Sequence, residues 1–361
     1  MGVTRQRCMG IVPALLIALG AAGCGGSAPG PHGTSATTPP TRTGAGSALA
    51  GAASPGTPQA AVWRPFRHVR GIVDLASPSP AGTIVVAARG RLFTLSPAHG
   101  LRPFAPRYAA PPGLEPYIVR SPGLRVAGAG CAFPAGTTYA LRLSGGDGVT
   151  AVSPGGTVRK FAVLPRRGLE NGIAFDETGR FGHRLLVTTK VGQQTVVSAI
   201  DCRGRVQTLT RRAPRVEGGI AVAPAGFGRF GGDLIAPDEL SGNIYAIASS
   251  GRATRLVASG LPHGQDVGVE SEGFVPRVFR SALVADRGTA RNRHPGDNEI
   301  LRIPAPALTR AGVRAGDLLV VGEGGAETID VRCHAACRVR VVAHGPTVAH
   351  IEGHVIFSRA F

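Results

Sequence analysis

The sequence predicts an all-β fold: a six-bladed β-propeller with four-stranded blades and a ring closed by an N-terminal strand. Three observations lead there. After residue 60, short runs of Val, Ile, Leu, Ala and Thr alternate with Gly, Pro and Asp turns, and the chain's Gly 53 and Pro 29 supply that punctuation. No long amphipathic helical period is present, apart from a short stretch near Ala307 to Val313. The runs also recur: Gly172 to Gly219 is a step of 47 residues, and Gly71 to Gly172 is 101, about two steps.

A period in the forties with four strands per unit marks a propeller, because one such sheet cannot bury both faces and must stack on neighbours around a channel. The copies open at Gly71-Ile72-Val73-Asp74-Leu75, Gly172-Ile173-Ala174-Phe175, Gly219-Ile220-Ala221-Val222 and Val267-Gly268-Val269. The last of these is expected to continue through Ala282 to Ala285 and Ile300 to Ile303. A final copy from Thr328 to Ser358 is one strand short, and Val62 to Arg70 is expected to supply the missing strand. A pair of β-sandwiches would leave the period unexplained.

The N-terminus reads as an address. Arg5 and Arg7 precede an apolar run, Ile11 to Leu19, too short to span a bilayer. It ends in Ala21-Ala22-Gly23-Cys24, which resembles a bacterial lipobox, although the pattern prefers Leu where Ala21 stands. That resemblance implies a lipid, palmitate included, on Cys24. Residues 25 to about 60 are nearly all Gly, Ser, Ala, Pro and Thr, a composition that forms a flexible tether. The organisation expected is therefore a signal peptide at 1–23, a lipidated cysteine and tether at 24–61, and the propeller at 62–361. The expected location is the outer face of the cytoplasmic membrane.

Charge separates partner classes. Lys+Arg is 40 against Asp+Glu 22, a net +18, and +16 remains once Arg5 and Arg7 leave with the signal. Only Lys160 and Lys190 are lysines, and the arginines are spread along the chain. Aromatics are 5 %, and no nucleic-acid module is visible, so a basic face toward anionic lipid or cell-wall polymer fits better than nucleic acid.

Four cysteines follow the tether: Cys131, Cys202, Cys333 and Cys337. In an oxidising compartment an even count reads as disulfides. The spacing favours Cys333 with Cys337 across a small hairpin, which leaves Cys131 with Cys202. The rival is a metal knuckle on Cys333, His334 and Cys337, which lacks a second ligand pair.

Chemistry is expected at one end of the channel. Inner strands begin, and second strands end, on the same face of an antiparallel meander. Aligning the copies sets Glu170-Asn171 with Glu217-Gly218 and Gln265-Asp266, and sets Asp238 with Asp286. Glu170, Asn171, Glu217, Gln265, Asp266, Asp238 and Asp286 should gather there, with His263 and His354 as further candidates. Carboxylate and amide oxygens suit a hard cation such as calcium. The competing account is that Asp, Asn and Glu before Gly are ordinary turn residues.

Asn171-Gly172-Ile173-Ala174-Phe175-Asp176-Glu177-Thr178-Gly179, followed by Leu185-Leu186-Val187, resembles the senescence marker protein/gluconolactonase group of six-bladed propellers. NHL-type and strictosidine-synthase-like propellers share these short motifs. Glu217-Gly218 and the stretch from Pro262 to Gly273 are similar to other blades of that group. The resemblance implies a central divalent cation and lactone hydrolysis, with Asn171 and Glu217 as ligands and Asp238 or Asp266 as the base. Gln265 stands where the pattern has an acid. No Gly-x-Ser-x-Gly elbow, His-Glu-x-x-His or phosphate loop is present.

Two functions follow as expectations. One is a membrane-anchored extracytoplasmic scaffold that binds a small molecule, glycan or protein at its channel mouth. The other is a divalent-metal-dependent, lactonase-like hydrolase. The first needs no complete catalytic set, whereas the second needs at least three converging ligands.

Overall fold

The computed structural model describes residues 59–111, 116–143, 146–165 and 168–361. The signal segment, Cys24 and nearly all of the tether lie outside the described residues. Among the described residues, strand pairing begins at Ala61–Val62.

Six sheets form the ring. The first blade runs outward through Ile72–Ala76, Ile84–Ala88, Arg91–Ser96 and Gly100–Phe104. The second uses Ile118–Arg120, Thr138–Leu143, Gly146–Val152 and Val158–Val163. The third uses Leu169–Phe175, Leu185–Val191, Gln194–Ile200 and Val206–Pro214, and the fourth Ala221–Val222, Leu234–Asp238, Asn243–Ile247 and Ala253–Ala258. Inner and second strands such as Ile72–Ala76 and Ile84–Ala88 are buried throughout. They are therefore near-continuous Val/Ile/Leu/Ala runs, while outer strands such as Val206–Pro214 are largely exposed and carry Arg and Thr.

The last two blades depart from the sequence expectation. The inner strand of the fifth blade, Val269–Phe274, does not pair with Ser281–Asp286, the next strand in sequence. It pairs with Leu318–Gly322, followed outward by Thr328–Cys333 and Cys337–His344, with Ala61–Val62 added in parallel at the edge. Ser281–Asp286 and Glu299–Pro304 instead build the sixth blade, whose inner strand is Ile351–Ser358. Ala282 to Ala285 and Ile300 to Ile303 therefore do not continue the copy that opens at Val267. The stretch from Thr328 to Ser358 likewise spans two blades. The short helix Ala305–Arg310, the expected helical stretch, lies on the way back between them.

The ring closes through the N-terminal strand, as expected. Arg64–His68 pairs antiparallel with Glu299 to Arg302 as the outermost strand of the sixth blade. Trp63, between the two N-terminal strands, is 1 % exposed, and its indole Nε1 donates to Thr328 Oγ1 at 2.8 Å.

Apolar clusters fill the spaces between blades. Between the second and third blades Phe133, Tyr139, Phe161 and Phe175 pack edge to face, with Phe133 and Phe175 centroids 4.9 Å apart. Two disulfides are formed. Cys131–Cys202 ties the small hairpin of Arg125–Val126 and Cys131–Ala132 to a turn of the third blade, and Cys333–Cys337 closes a hairpin of the fifth. No helix among the described residues is long and apolar enough to cross a membrane.

Candidate functional site

The channel is closed at its waist by close backbone contact. Gly218 N–H donates to Asn171 O and Gly219 N–H to Glu270 O, so the start of the fourth inner strand bonds to its neighbours. A Cβ on Gly219 would lie 2.3 Å from Gly353 O, and one on Gly218, at φ +91°, 2.0 Å from Glu270 O. His354 and Asp74 complete the plug. Each mouth holds a cavity.

The first mouth is where inner strands begin and second strands end. Its cavity, about 250 Å³, is lined almost wholly by polar groups, among them Tyr117, Glu217, Glu270, Glu323, His350 and Glu352. Bulges in the inner strands at Glu170/Gly172 and Val269/Ser271 turn the local backbone there.

Its centre is acidic and buried. Ligand atoms of Glu323, His350 and Glu352 lie within 4.8 Å of one another. His350 Nε2 is 3.1 Å from Glu323 and 3.4 Å from Glu352, and Arg287 Nη1 is 2.8 Å from Glu352. Tyr117 Oη contacts Glu270 Oε1 at 2.6 Å and Glu352 Oε2 at 2.9 Å. A phenol has one proton, so one of those two contacts must use a carboxyl proton. Burial, then the charges of Glu352 and Glu323, push Glu270 well above the usual carboxylate range. Burial pushes Glu352 the same way, but His350 and Arg287 outweigh it and hold it below its ordinary value. Glu270 is therefore the acid that keeps its proton.

The rim is a charge network. Glu217 accepts from Lys190 at 2.8 Å and from Arg215 at 3.2 Å, and Arg215 also reaches Glu239 at 3.5 Å. Burial raises the pKa of Glu239, and the Asp266 amide, 2.8 Å from Glu239 Oε1, eases that.

The expected residues divide into two groups. Glu217, Gln265 and Asp266 line this mouth. Gln265 and Asp266, however, precede the fifth inner strand, which starts at Val269, so they sit in a loop and are not the register equivalents of Glu170 and Asn171. Glu170 Oε2 accepts from the Arg142 amide at 3.0 Å, and the Asn171 side-chain amide donates to Val216 O at 2.6 Å. Asp238 ends a second strand, as expected, and caps its turn by accepting from the Leu240 amide and Ser241 Oγ. Asp286 accepts from the His350 and Asp297 amides, and burial raises its pKa to about 6. His263 packs on the Gly242 turn. His354 lies in the waist and faces the opposite cavity.

The acids at the centre, Glu270, Glu323 and Glu352, were not singled out from the sequence. One signal was present: Val269-Glu270-Ser271-Glu272 and Ile351-Glu352-Gly353-His354 put titratable groups at alternate positions of a strand without other charges.

No protein-family profile matches the chain, and no curated protein matches it. Solved structures are similar in fold. A virginiamycin B lyase from Staphylococcus aureus is 13 % identical, with 77 % of this chain and 87 % of that one covered and a TM-score of 0.42. A gluconolactonase from Xanthomonas campestris is 14 % identical, over 62 % and 68 %, with a TM-score of 0.37. A calcium-binding regucalcin from Agrobacterium tumefaciens is 14 % identical, over 64 % and 74 %, with a TM-score of 0.39. The propeller group named from the sequence is thus among the folds this chain is similar to. At these identities and scores nothing about activity follows, and the blade count rests on the strand pairing alone.

Proposed function

We propose that this protein is a divalent-cation-dependent hydrolase of the lactonase type, held outside the cytoplasmic membrane through Cys24. One observation carries the reading: Glu323, His350 and Glu352 converge in a buried site beside a third carboxyl, Glu270. Three converging ligand groups are what separates a metal enzyme from a scaffold with scattered turn acids.

The residues fit a cation. Carboxylates this close repel one another, and the raised Glu270 pKa is the measure of that repulsion after burial. An added positive charge would relieve both. A set of carboxylates plus one imidazole suits manganese or zinc as well as calcium, because imidazole is a softer donor than oxygen. When bound, the cation supplies Lewis-acid polarisation of a carbonyl. The chain's own groups do the rest. Glu270 and Tyr117 hold a proton at the floor, and Lys190 and Arg215, both paired with Glu217, frame the rim.

The test is calorimetry of calcium, manganese and zinc on the purified chain, repeated with Glu323→Gln/Glu352→Gln, then hydrolysis assays on simple sugar lactones. Metal binding lost in the double variant, with metal-dependent turnover, supports the reading. Metal binding without turnover favours the second reading, a ligand-binding scaffold, for which the closed Lys190–Glu217–Arg215 network speaks. No binding removes the hydrolase. For the anchor, the lipobox-like Ala22-Gly23-Cys24 is the support. Cys24→Ala should release the protein from membranes, and continued membrane association would sink that part.

A further inference from the structure

The opposite mouth of the channel holds a second, chemically different cavity. It encloses about 540 Å³, within the range of small-molecule sites. Its wall is the ends of the inner strands, and Ile118, Ile173, Phe175, Ile220, Phe274 and Phe357 make it apolar. One of the two acids that line it, Glu272, is set into that wall. Glu272 lies two residues beyond Glu270 on the fifth inner strand and is 1 % exposed. Its carboxylate oxygens make no well-formed hydrogen bond, and the Ala221 N–H beside them compensates only weakly.

A buried carboxylate without a partner is among the least favourable groups a fold can contain. The group responds by keeping its proton: burial drives the Glu272 pKa well above the ordinary carboxylate value, and the Ala221 backbone only partly offsets this. The other titratable groups lining the cavity are Arg120, Glu177 and His354. His354 is already committed to Asp74 and to Ile173 O.

We propose that this cavity is a binding site for an apolar organic cation, with the ligand's ammonium group meeting Glu272 and its hydrocarbon body filling the apolar wall. The chemistry balances simply. As the ammonium arrives, the Glu272 proton leaves to solvent, and a neutral acid becomes one half of a buried ion pair. Both oxygens then gain the donors they lack. The site is independent of the metal reading, because the closed waist separates the two cavities.

The test uses 2-phenylethylamine and its uncharged counterpart 2-phenylethanol, titrated into the purified full chain. Wild type should bind the amine at least about tenfold more tightly than the alcohol. Its binding heat should change with the ionisation enthalpy of the buffer, because a proton is released. Glu272→Gln should remove the preference and the buffer dependence. Val222→Phe narrows the cavity and leaves Glu272 in place, so it should weaken both probes. Equal binding of the two probes by wild type overturns the proposal, and so does an amine preference that survives in Glu272→Gln. If Glu272→Gln fails to fold, the wild-type comparison together with Val222→Phe decides: loss of amine binding supports the site, and unchanged binding refutes it.

Discussion

His354 and Asp74, 280 positions apart, meet at the waist of the channel with Nδ1 2.9 Å from Oδ2. The other ring nitrogen, Nε2, faces the Ile173 carbonyl at 2.9 Å. Both partners are acceptors, so both ring nitrogens carry protons and the ring is an imidazolium. Asp74 also accepts from the amides of Leu75, Ile118 and His354, which makes it a joint between the first, second and sixth blades.

This joint sets a pH dependence. Burial works against the charged ring, but the Asp74 carboxylate and the Ile173 carbonyl outweigh it and raise the His354 pKa above 6.5. The stabilisation is therefore complete below about pH 6.5 and fades as pH rises through the folded-state value. Denaturant titrations across that range should show wild type losing stability relative to His354→Gln as pH rises. A constant difference between the two would contradict the assignment. Asp74→Ala strands a buried cation and should cost about 3–5 kcal/mol.

Glu270 works in the other direction. Its raised pKa means that the native state is penalised increasingly as pH climbs above 4.5. Glu270→Gln should stabilise the metal-free protein at about pH 8, and much less near pH 5, by about 1 kcal/mol or roughly 2 °C in Tm. Thermal melts in chelator at the two pH values check this. Equal melting of variant and wild type at the higher pH would refute it.

Trp63 is the chain's single tryptophan and reports directly on ring closure. Trp63→Phe removes the indole donor to Thr328 and should cost about 1 kcal/mol. Trp63→Ala leaves a cavity in the cluster and should cost about 3–5 kcal/mol. In wild type, a red shift of Trp emission should coincide with global unfolding by circular dichroism. An earlier red shift would show that the N-terminal strands detach first.

The two disulfides should differ in value. Cys131–Cys202 spans a sequence separation of 71, and Cys333–Cys337 one of 4. The loop-entropy relation gives about 4 kcal/mol for the long loop and about 2 kcal/mol for the short one. Paired Cys→Ser variants measured by denaturant midpoint should rank in that order. The reverse order would mean that local packing, rather than loop closure, dominates.

Much of the fold was legible because its signal repeats: buried runs at a fixed period need no knowledge of partners. The exchange between the last two blades was not legible. Ala282-Leu283-Val284-Ala285 and Leu318-Leu319-Val320-Val321 are both wholly buried second strands, and nothing local states which inner strand each will join. The end of the channel that carries polar chemistry was legible from strand direction alone. The residues at its centre were not, because the alignment counted from Val267 whereas the strand starts at Val269. That offset of two residues places Gln265 and Asp266, rather than Glu270, at the expected strand start. Glu323 lies in a turn, where strand periodicity carries no information, and His350 sits in a lone bridge to Gly324 just before its strand.

The crossing of Val269–Phe274 into one blade and Ser281–Asp286 into the next works as a lock on the ring's size. Propellers grow or shrink when a whole module is duplicated or excised as one contiguous piece. Here no contiguous cut between residues 269 and 358 removes one whole module and leaves the other intact. During synthesis the same crossing delays completion, since the fifth module waits for the strand ending at His344 and the sixth, although its middle strands are made earlier, for the one ending at Ser358. Blade number, freely variable elsewhere in the circle, is fixed at this seam.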